Sequence, residues 1–230
     1  MNYLEQNLKG FCQKFGLDFL AFLEDFQVDS VSEIPLVELE AICEEYLVDL
    51  QSILFKPMFK NEMLTDKISS LKLLILDVDG VLTDGGMYFA ESEDQFKKFN
   101  TKDGMGIMEL IKKGGLEVGI ISSGFKGGAV KARASLLGIN RCYVGREKKM
   151  AVLESWMEEM NIMLHEVGII GDDVNDLPLI KVVGFSACPS DAVNVVKNHV
   201  DVILSLPGGK GCVRQLIDDF LLTSPIGSEF

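Results

Sequence analysis

The sequence predicts an α/β fold: a doubly wound parallel sheet with an inserted β-hairpin and an N-terminal α-helical appendage. From residue 71 onward, short apolar runs bounded by Gly, Asp and Ser alternate with helical stretches, as expected for strands buried on both faces and their crossover helices. The stretch GGMYFAESEDQFKKFN interrupts this alternation with two short strands around an acidic turn. Residues 1–66 instead repeat apolar side chains every three or four positions, which is typical of amphipathic helices.

The first 66 residues are acidic and helical in pattern. They hold four Lys and thirteen Asp or Glu, and so carry most of the net charge of −13. FLAFLEDF predicts one helix, and VELEAICEEYLVDLQSILF predicts a second, single helix that Pro35 opens and Pro57 follows. The second pattern resembles the closing helices of repressor-type helix-turn-helix domains. The segment is too short and too acidic for such a domain, so an appendage that packs within the chain or faces an oligomer is favoured.

The elements of the predicted sheet follow one another in a simple order. The strands are expected in LKLLILDV, LEVGIIS, RCYVG, EVGIIG, VGFSAC and VDVILS. The crossover helices are expected in GIMELIKKG, GAVKARASLLG, KMAVLESWMEEMN, DLPLIKVV and DAVNVVKNH. Ligands of such folds bind at the carboxyl ends of the strands, so the functional residues are expected there.

Composition narrows the classes of partner and the cellular location. The chain is too acidic to bind the phosphate backbone of nucleic acids, and no segment approaches the roughly 20 apolar residues of a membrane span. The first residues lack the pattern of a secretory signal. Five widely spaced cysteines without a C-x-x-C pair predict buried free thiols in a reducing cytoplasm. Residues 227–230, GSEF, resemble a cloning remnant and are left out of the predicted fold.

Two acidic clusters follow two of the predicted strands. Asp77 and Asp79 end LLILDVDG, and their spacing places both on the same side of an extended chain. An aspartate here is also a common turn former, but Asp172, Asp173 and Asp176 follow EVGIIG in the same way. Converging carboxylates suit Mg²⁺, and a phosphate ester would add another oxygen ligand. A metal that neutralises charge would let a carboxylate attack phosphorus, which makes covalent catalysis possible.

The run LLILDVDGVLTDGG is similar to the first motif of the haloacid dehalogenase superfamily, and later Ser-Gly, Lys and G-D-D-x-x-D elements follow in its order. The resemblance covers residues 71–222. Five segments look like the capless branch of the 3-deoxy-D-manno-octulosonate 8-phosphate phosphatases: DVDGVLTDG, FNTKDGMGI, LLGINRCYVGREKK, GDDVNDLPLI and LPGGKGCVRQL. The resemblance implies a Rossmann-like core and the Mg²⁺-dependent hydrolysis of a phosphate monoester through an aspartyl-phosphate.

The resemblance also implies a role for each matching residue. Asp77 would be the nucleophile and a metal ligand through its carboxylate. Asp79 would bind metal through its backbone carbonyl, while its side chain protonates the leaving oxygen and later deprotonates the attacking water. Asp172 would supply the other metal carboxylate. Lys149 would stabilise the phosphoryl oxygens and the nucleophile.

Three assignments depend on fine spacing. Asp173 and Asp176 are interpreted as residues that support the metal site without binding the ion. Lys148 precedes the matching lysine and is interpreted as an ordinary surface charge. The phosphate-binding hydroxyl is Ser122 or Ser123, and the distance to LLGI favours Ser123.

The substrate-binding residues implied by the resemblance are Asn100, Thr101, Lys102, Asp103, Gly104 and Arg133. Lys102 offers a point charge where an arginine is more usual in the family. Phe125 stands where typical members have an arginine, so a substrate carboxylate would lose a bidentate partner there. Phosphatases of nonulosonate 9-phosphates share this branch and often carry Glu at that position. Octulosonate 8-phosphate is the favoured substrate, and a nonulosonate 9-phosphate or another phosphorylated sugar stays open.

A capless enzyme still needs something to cover its site and exclude water. The resemblance implies a homotetramer in which the hairpin at residues 86–99 packs at the centre and a neighbouring subunit completes the site. PGGKGCVRQL, with Lys210 and Arg214, matches the C-terminal element that reaches that site, or is simply a loop that opens the final helix. A non-catalytic scaffold is the remaining alternative, and the intact catalytic motifs argue against it.

Overall fold

The computed structural model describes residues 3–46, 48–91 and 95–222, and the chain forms two compact units, Met1–Asn61 and Glu62–Phe230. The residues at 227–230 that resemble a cloning remnant lie outside the described ranges. The division falls slightly before the predicted end of the appendage at residue 66. Helix α5 (Glu62–Ser69, named here in chain order) belongs to the larger unit, because its Leu64 and Ile68 are buried in that unit's core.

The smaller unit is helical, with α1 (Tyr3–Phe15), α2 (Phe19–Asp25), α3 (Leu36–Glu45) and α4 (Leu50–Phe55). The prediction of one continuous helix between Pro35 and Pro57 is wrong. Helix α3 ends at Glu45, and Asp49 starts a new helix because its carboxylate accepts a hydrogen bond from the Ser52 N–H (3.0 Å). Apolar periodicity continues across the break, which is why the sequence pattern alone did not reveal it.

A buried asparagine joins the first and last helices of this unit. Asn7 is 2% exposed, and its amide group donates to the backbone carbonyls of Ser52 (3.2 Å), Ile53 (3.0 Å) and Lys56 (2.7 Å). Its side-chain oxygen accepts from the Met58 N–H (2.9 Å). Since the amide is fully engaged, its burial leaves no polar atom unsatisfied.

The larger unit is built on a parallel sheet, as the alternating pattern predicted. Its strands, numbered in chain order with the hairpin, are β1 (Leu73–Leu76), β2 (Tyr88–Phe89), β3 (Gln95–Phe96), β4 (Glu117–Ser122), β5 (Arg141–Val144), β6 (Val167–Ile170), β7 (Phe185–Cys188) and β8 (Val202–Ile203). The helices that follow α5 are α6 (Thr101–Lys113), α7 (Gly128–Leu137), α8 (Lys149–Met160), α9 (Leu177–Ile180), α10 (Asn194–Lys197) and α11 (Cys212–Leu216).

The strand order explains where a ligand can bind. The six parallel strands lie in the order β5-β4-β1-β6-β7-β8. Strands β4 and β5 are added on one side of β1, and β6, β7 and β8 are then added on its other side. The fold class is therefore confirmed as doubly wound α/β. In such sheets, the loops on either side of the reversal point separate and leave a crevice at the carboxyl ends of the strands. Here that crevice lies at the end of β1.

The central strand is buried on both faces. Leu74 and Leu76 belong to one apolar core, and Leu73 and Ile75 belong to the other, because successive side chains of a strand point in opposite directions. Helices therefore cover both faces of β1, which accounts for its continuous apolar sequence. The strand provides a rigid base for the residues that follow it.

The predicted hairpin is confirmed where it is described. Strands β2 and β3 pair antiparallel, with Tyr88 opposite Phe96 and Phe89 opposite Gln95. The five cysteines form no disulfide within the described residues, and four are buried while Cys142 is half-buried. In the described ranges, every helix is too short or too polar to cross a lipid bilayer.

Candidate active site

The two predicted acidic clusters meet at the crevice beside β1. Leu76 lies opposite Ile170 of β6, and the Asp77 N–H donates to the Ile170 carbonyl (3.1 Å). This register places the residues after β1 next to the loop after β6. Carboxylate oxygens of Asp77, Asp172 and Asp176 lie within 4.8 Å of one another.

The loop after β1 turns sharply to make this approach possible. Gly80 has a φ of +89°, a conformation that favours glycine. A Cβ atom at this position would lie only 2.0 Å from Asp172 Oδ2. The glycine of the D-x-D-G motif therefore provides both the turn and the space for the second carboxylate.

Lys149 lies at the start of α8, and its ammonium group links two of the carboxylates. The Nζ atom donates to Oδ1 of Asp77 and to Oδ1 of Asp176, both at 2.6 Å, and the side chain is 3% exposed. Burial lowers the pKa of Lys149. The carboxylates of Asp77 and Asp176 together raise this pKa by more than burial lowers it, so it lies above its ordinary value. Lys148 is exposed at the N-cap position of α8, and its side chain makes no capping hydrogen bond. The structure thus places Lys149, rather than Lys148, against the aspartates.

Asp176 contacts both Lys149 and the loop after β6. It is fully buried, and while one oxygen binds Lys149, the other accepts from the Asp172 N–H (3.2 Å). Asp173 is exposed and accepts from the Val174 N–H. Asp176 thus links Lys149 to the Asp172 backbone, and the supporting role of both residues stays a prediction.

The cluster carries more buried negative charge than Lys149 balances. Burial and the neighbouring Asp176 raise the pKa of Asp77 to about 6, against the lowering effect of Lys149. Burial, Asp77 and then Asp176 raise the pKa of Asp172 to about 8. Asp172 Oδ1 is buried without a hydrogen-bond partner in the described part of the chain. An unpartnered carboxylate oxygen in an acidic cluster fits a hard divalent cation, which binds oxygen ligands and offsets this repulsion.

A cavity of about 200 Å³ opens above the cluster. Its walls include Asp77, Asp79, Lys97, Ser123, Phe125 and Asp172. This volume suits a phosphoryl group and its ligands more than a whole sugar.

Two adjacent serines, the last residue of β4 and the residue after it, lie at this cavity. Ser122 is 2% exposed, and its hydroxyl accepts a hydrogen bond from the Gly124 N–H (3.3 Å). Ser123 is exposed, and both serines contribute to the cavity wall. The greater exposure of Ser123 supports the choice of this hydroxyl as a phosphate ligand, which stays a prediction.

Lys97 is a residue of the site that the sequence analysis did not single out. It follows β3 of the hairpin, its side chain is 7% exposed, and its ammonium group donates to the carboxylate of Asp79. Thr83 Oγ1 donates to the same oxygen at 3.5 Å. In sequence, Lys97 and Lys98 are two equivalent charges, and only the path of the hairpin turns one of them towards Asp79.

Comparisons with known proteins identify the family of this chain. A family model for haloacid dehalogenase-like hydrolases matches residues 129–212. The 3-deoxy-D-manno-octulosonate 8-phosphate phosphatase of Escherichia coli K12 is 36% identical over 156 residues, which cover 68% of this chain and 82% of that protein. The chain belongs to the octulosonate 8-phosphate phosphatase family of haloacid dehalogenase-like hydrolases.

Solved structures of other family members have the same fold. The octulosonate 8-phosphate phosphatase of Yersinia pestis matches with a TM-score of 0.66 at 31% identity, covering 70% of this chain and 85% of that chain. The Moraxella catarrhalis enzyme, solved with magnesium, phosphate and the octulosonate, matches with a TM-score of 0.66 at 28% identity, covering 70% and 92%. A cobalt-bound form from Haemophilus influenzae matches at 34% identity, with a TM-score of 0.63 and coverage of 67% and 90%.

The predicted substrate loop of this family member lies at the start of α6. Asn100 caps that helix by accepting from the Lys102 N–H (2.8 Å) and donates to the Gly209 carbonyl (3.1 Å). Asp103 is 1% exposed and accepts from the Arg214 N–H (2.8 Å). Thr101 and Lys102 are exposed, whereas Gly104 is buried.

Arg133 lies against this loop, and its Nη2 atom donates to the Asn100 carbonyl (3.4 Å). Within the described residues, none of Asn100–Gly104 or Arg133 lines the 200 Å³ cavity. Asn100 and Asp103 instead have structural roles, because Asn100 caps α6 and both residues bind the segment around α11. Substrate binding by the six residues stays a prediction, because the chain alone does not bring them to the reacting group.

The glycine-rich segment of the family member packs on its own nucleophile loop. The Gly209 N–H donates to the Val81 carbonyl (2.9 Å), and Gly208 lies directly against the Gly80 carbonyl. The segment then opens α11. One of the two interpretations, a loop that opens the final helix, therefore describes this segment within the chain.

Proposed function

We propose that this chain is a Mg²⁺-dependent phosphatase that hydrolyses 3-deoxy-D-manno-octulosonate 8-phosphate through an aspartyl-phosphate on Asp77. The observation that carries the proposal is the contact between Lys149 and Asp77 beside the unpartnered carboxylate oxygen of Asp172. Relatives with this name share at least a third of their residues with the chain over most of their length. Five cysteines that form no disulfide within the described residues support a reducing compartment such as the cytoplasm.

Asp77 acts as the nucleophile. One carboxylate oxygen forms a bond to phosphorus while the ester P–O bond breaks, and Asp79 donates a proton to the departing sugar oxygen. Asp79 then takes a proton from water, which attacks phosphorus and releases phosphate from Asp77. Lys149 holds Asp77 in one orientation and offsets negative charge on the phosphoryl oxygens.

The carboxylates of Asp77 and Asp172, with the backbone carbonyl of Asp79, would hold the magnesium ion, which when bound neutralises charge on the phosphate. The Ser123 hydroxyl donates a hydrogen bond to a phosphoryl oxygen. Asp176 and Asp173 hold the loop after β6, so the metal ligands need no rearrangement before the substrate binds. Lys97 orients Asp79 towards the cavity.

A screen of phosphorylated sugars tests the choice of substrate. Octulosonate 8-phosphate should give the highest kcat/KM, above nonulosonate 9-phosphates and neutral sugar phosphates, and EDTA should abolish phosphate release until Mg²⁺ is added. The kcat/KM for p-nitrophenyl phosphate should also be measured, because this substrate tests the phosphate chemistry without a sugar. Higher activity on a nonulosonate 9-phosphate would replace the proposed substrate but leave the proposed reaction standing. Activity without a metal ion would refute the mechanism.

We also propose that the chain forms a homotetramer through the hairpin. Met87, Tyr88, Phe89 and Phe96 are between 54% and 63% exposed. Adjacent residues of β2 point to opposite faces, so both faces of the hairpin carry exposed apolar side chains. A two-stranded hairpin is marginally stable by itself and gains stability when such faces are covered.

A charged hairpin should dissociate the assembly. Tyr88 and Phe96 are cross-strand partners on one face, so the double variant Tyr88→Lys, Phe96→Lys places two cations in the proposed interface. We expect a monomer or dimer by light scattering and a kcat/KM for octulosonate 8-phosphate that is lower by about tenfold or more. Leu136→Lys, at a 74% exposed apolar residue of α7, is the matched control and should stay tetrameric. A dissociated variant with full activity would contradict completion of the site by a neighbour.

A further inference from the structure

Arg146 lies on the loop after β5, and the proposed mechanism does not use it. Its guanidinium carbon is 4.7 Å from the centroid of the Phe125 ring. Phe125 lines the catalytic cavity and is 71% exposed. A guanidinium over an aromatic face keeps the N–H groups at its edge available for a further ligand.

The loop that carries Arg146 is fixed on both sides of this residue. The Gly145 N–H donates to the Ser122 carbonyl (3.1 Å), and the Glu147 N–H donates to the Tyr143 hydroxyl (3.1 Å). A Cβ atom at Gly145 would lie 2.3 Å from that hydroxyl oxygen, so a larger residue here would displace the Tyr143 side chain. The backbone of Arg146 is therefore held at the same edge of the sheet as the catalytic residues.

A second cavity, of about 530 Å³, adjoins the catalytic one, and both are lined by Ser123 and Asn175. The charged residues that line the second cavity are Arg146, Glu147, Lys148 and Lys149. Lys149 is engaged by Asp77 and Asp176. Arg146 pairs with no carboxylate of the residues that the structure describes, and its guanidinium lies over the ring of Phe125.

We propose that Arg146 binds the carboxylate of the sugar-acid substrate in this second cavity, with Phe125 as the platform for its guanidinium. The inference rests on the proposed function, because it needs a substrate that carries both a phosphate and a carboxylate. The phosphate lies at Asp77, and the cavity that continues past Ser123 receives the other end of the leaving group. A planar guanidinium binds a carboxylate through two parallel hydrogen bonds, which a lysine cannot reproduce.

This arrangement gives Phe125 a function. The family's arginine is absent from position 125, and a guanidinium reaches the same ring from the end of the neighbouring strand. The site keeps its cation for the substrate carboxylate but supplies it from a different loop. Neutral sugar phosphates lack the group that Arg146 would bind and should be poorer substrates.

Substrate selectivity in Arg146→Gln tests the proposal. The quantity to measure is the ratio of kcat/KM for octulosonate 8-phosphate to kcat/KM for p-nitrophenyl phosphate, which has no carboxylate. We expect this ratio to fall by about tenfold or more, mainly through KM for the sugar acid. Lys148→Gln removes a neighbouring cation of the same cavity and is the matched control, with an expected change in the ratio of less than about twofold. Adding Phe125→Arg to the Arg146→Gln variant should restore part of the lost selectivity.

Three results would overturn the proposal. An unchanged ratio in Arg146→Gln, with efficient hydrolysis of octulosonate 8-phosphate by the wild type, would refute the role of Arg146 and leave the proposed function standing. Equal losses in Arg146→Gln and Lys148→Gln would show a general effect of positive charge. A wild-type enzyme that hydrolyses p-nitrophenyl phosphate but no sugar-acid phosphate would overturn both the substrate and the role of Arg146.

Discussion

Asp77→Asn is expected to lower kcat by more than about 10⁴-fold, because the substitution removes the proposed nucleophile and one metal ligand together. An amide has almost the same shape as the carboxylate and can still accept a hydrogen bond from Lys149. Acid quenching during turnover should trap a phosphorylated wild-type enzyme and no phosphorylated variant. Phosphate release and mass spectrometry of the quenched protein measure both effects.

The loss of activity should occur without a loss of stability. The pKa of Asp77 is raised to about 6, so above that pH the folded state holds an ionised group that the unfolded state accommodates more easily. The ionised carboxylate therefore opposes folding at pH 8, and Asn removes this effect. The Tm of metal-free Asp77→Asn at pH 8 should equal or exceed that of the wild type.

Asp84→Asn is a suitable control in the same loop. Its carboxylate accepts from the Gly86 N–H (3.1 Å), which an amide oxygen can also do, and the residue is exposed. This variant should keep its activity. Turnover of Asp77→Asn within tenfold of the wild type would contradict the aspartyl-phosphate mechanism.

Asp79→Asn is expected to lower kcat for octulosonate 8-phosphate by about 10²- to 10⁴-fold, the usual contribution of a general acid and base. The proposed metal contact of Asp79 is its backbone carbonyl, which the substitution preserves. Binding of Mg²⁺ and of inorganic phosphate should therefore stay close to wild-type values in calorimetry. A parallel loss of metal binding would contradict the assignment of separate roles to the backbone and the side chain.

The leaving group separates the two proton transfers assigned to Asp79. An aryl phosphate with an acidic phenol needs little help from a general acid, so the first step should remain fast in the variant. The second step still lacks its base, and the phosphorylated enzyme should accumulate. Rapid quenching should then show a burst of phenol followed by slow turnover. Steady-state rates near wild type with both kinds of substrate would refute the acid and base role.

Local signals predicted most of the larger unit. The apolar runs identified all six strands of the sheet, because strands covered on both faces are continuously apolar. The D-x-D-G and G-D-D-x-x-D motifs identified residues at two strand ends, and parallel pairing then required these ends to lie at one edge. Periodicity failed between α3 and α4, where the cap formed by Asp49 interrupts the helix but not the apolar pattern.

Some of the site depends on contacts between segments that are distant in sequence. Lys97 and Lys98 carry the same charge on adjacent residues, and the path of the chain after β3 decides that Lys97 meets Asp79. Arg146 and Phe125 follow different strands, and the pairing of β4 with β5 brings them together. Neither contact has a local signal, because each is produced by packing.

The sequence by itself determined the fold class, the order of the strands along the chain and the residue types needed for phosphate chemistry, since these follow from short-range patterns of polarity and from motif spacing. Only the tertiary structure decided which lysine contacts Asp79, which aspartate oxygen is left without a partner, and which cation reaches the ring of Phe125. The physical reason is that hydrogen bonds, burial and electrostatic repulsion depend on distances of a few ångströms, which are set by the register of strands and the turns of loops.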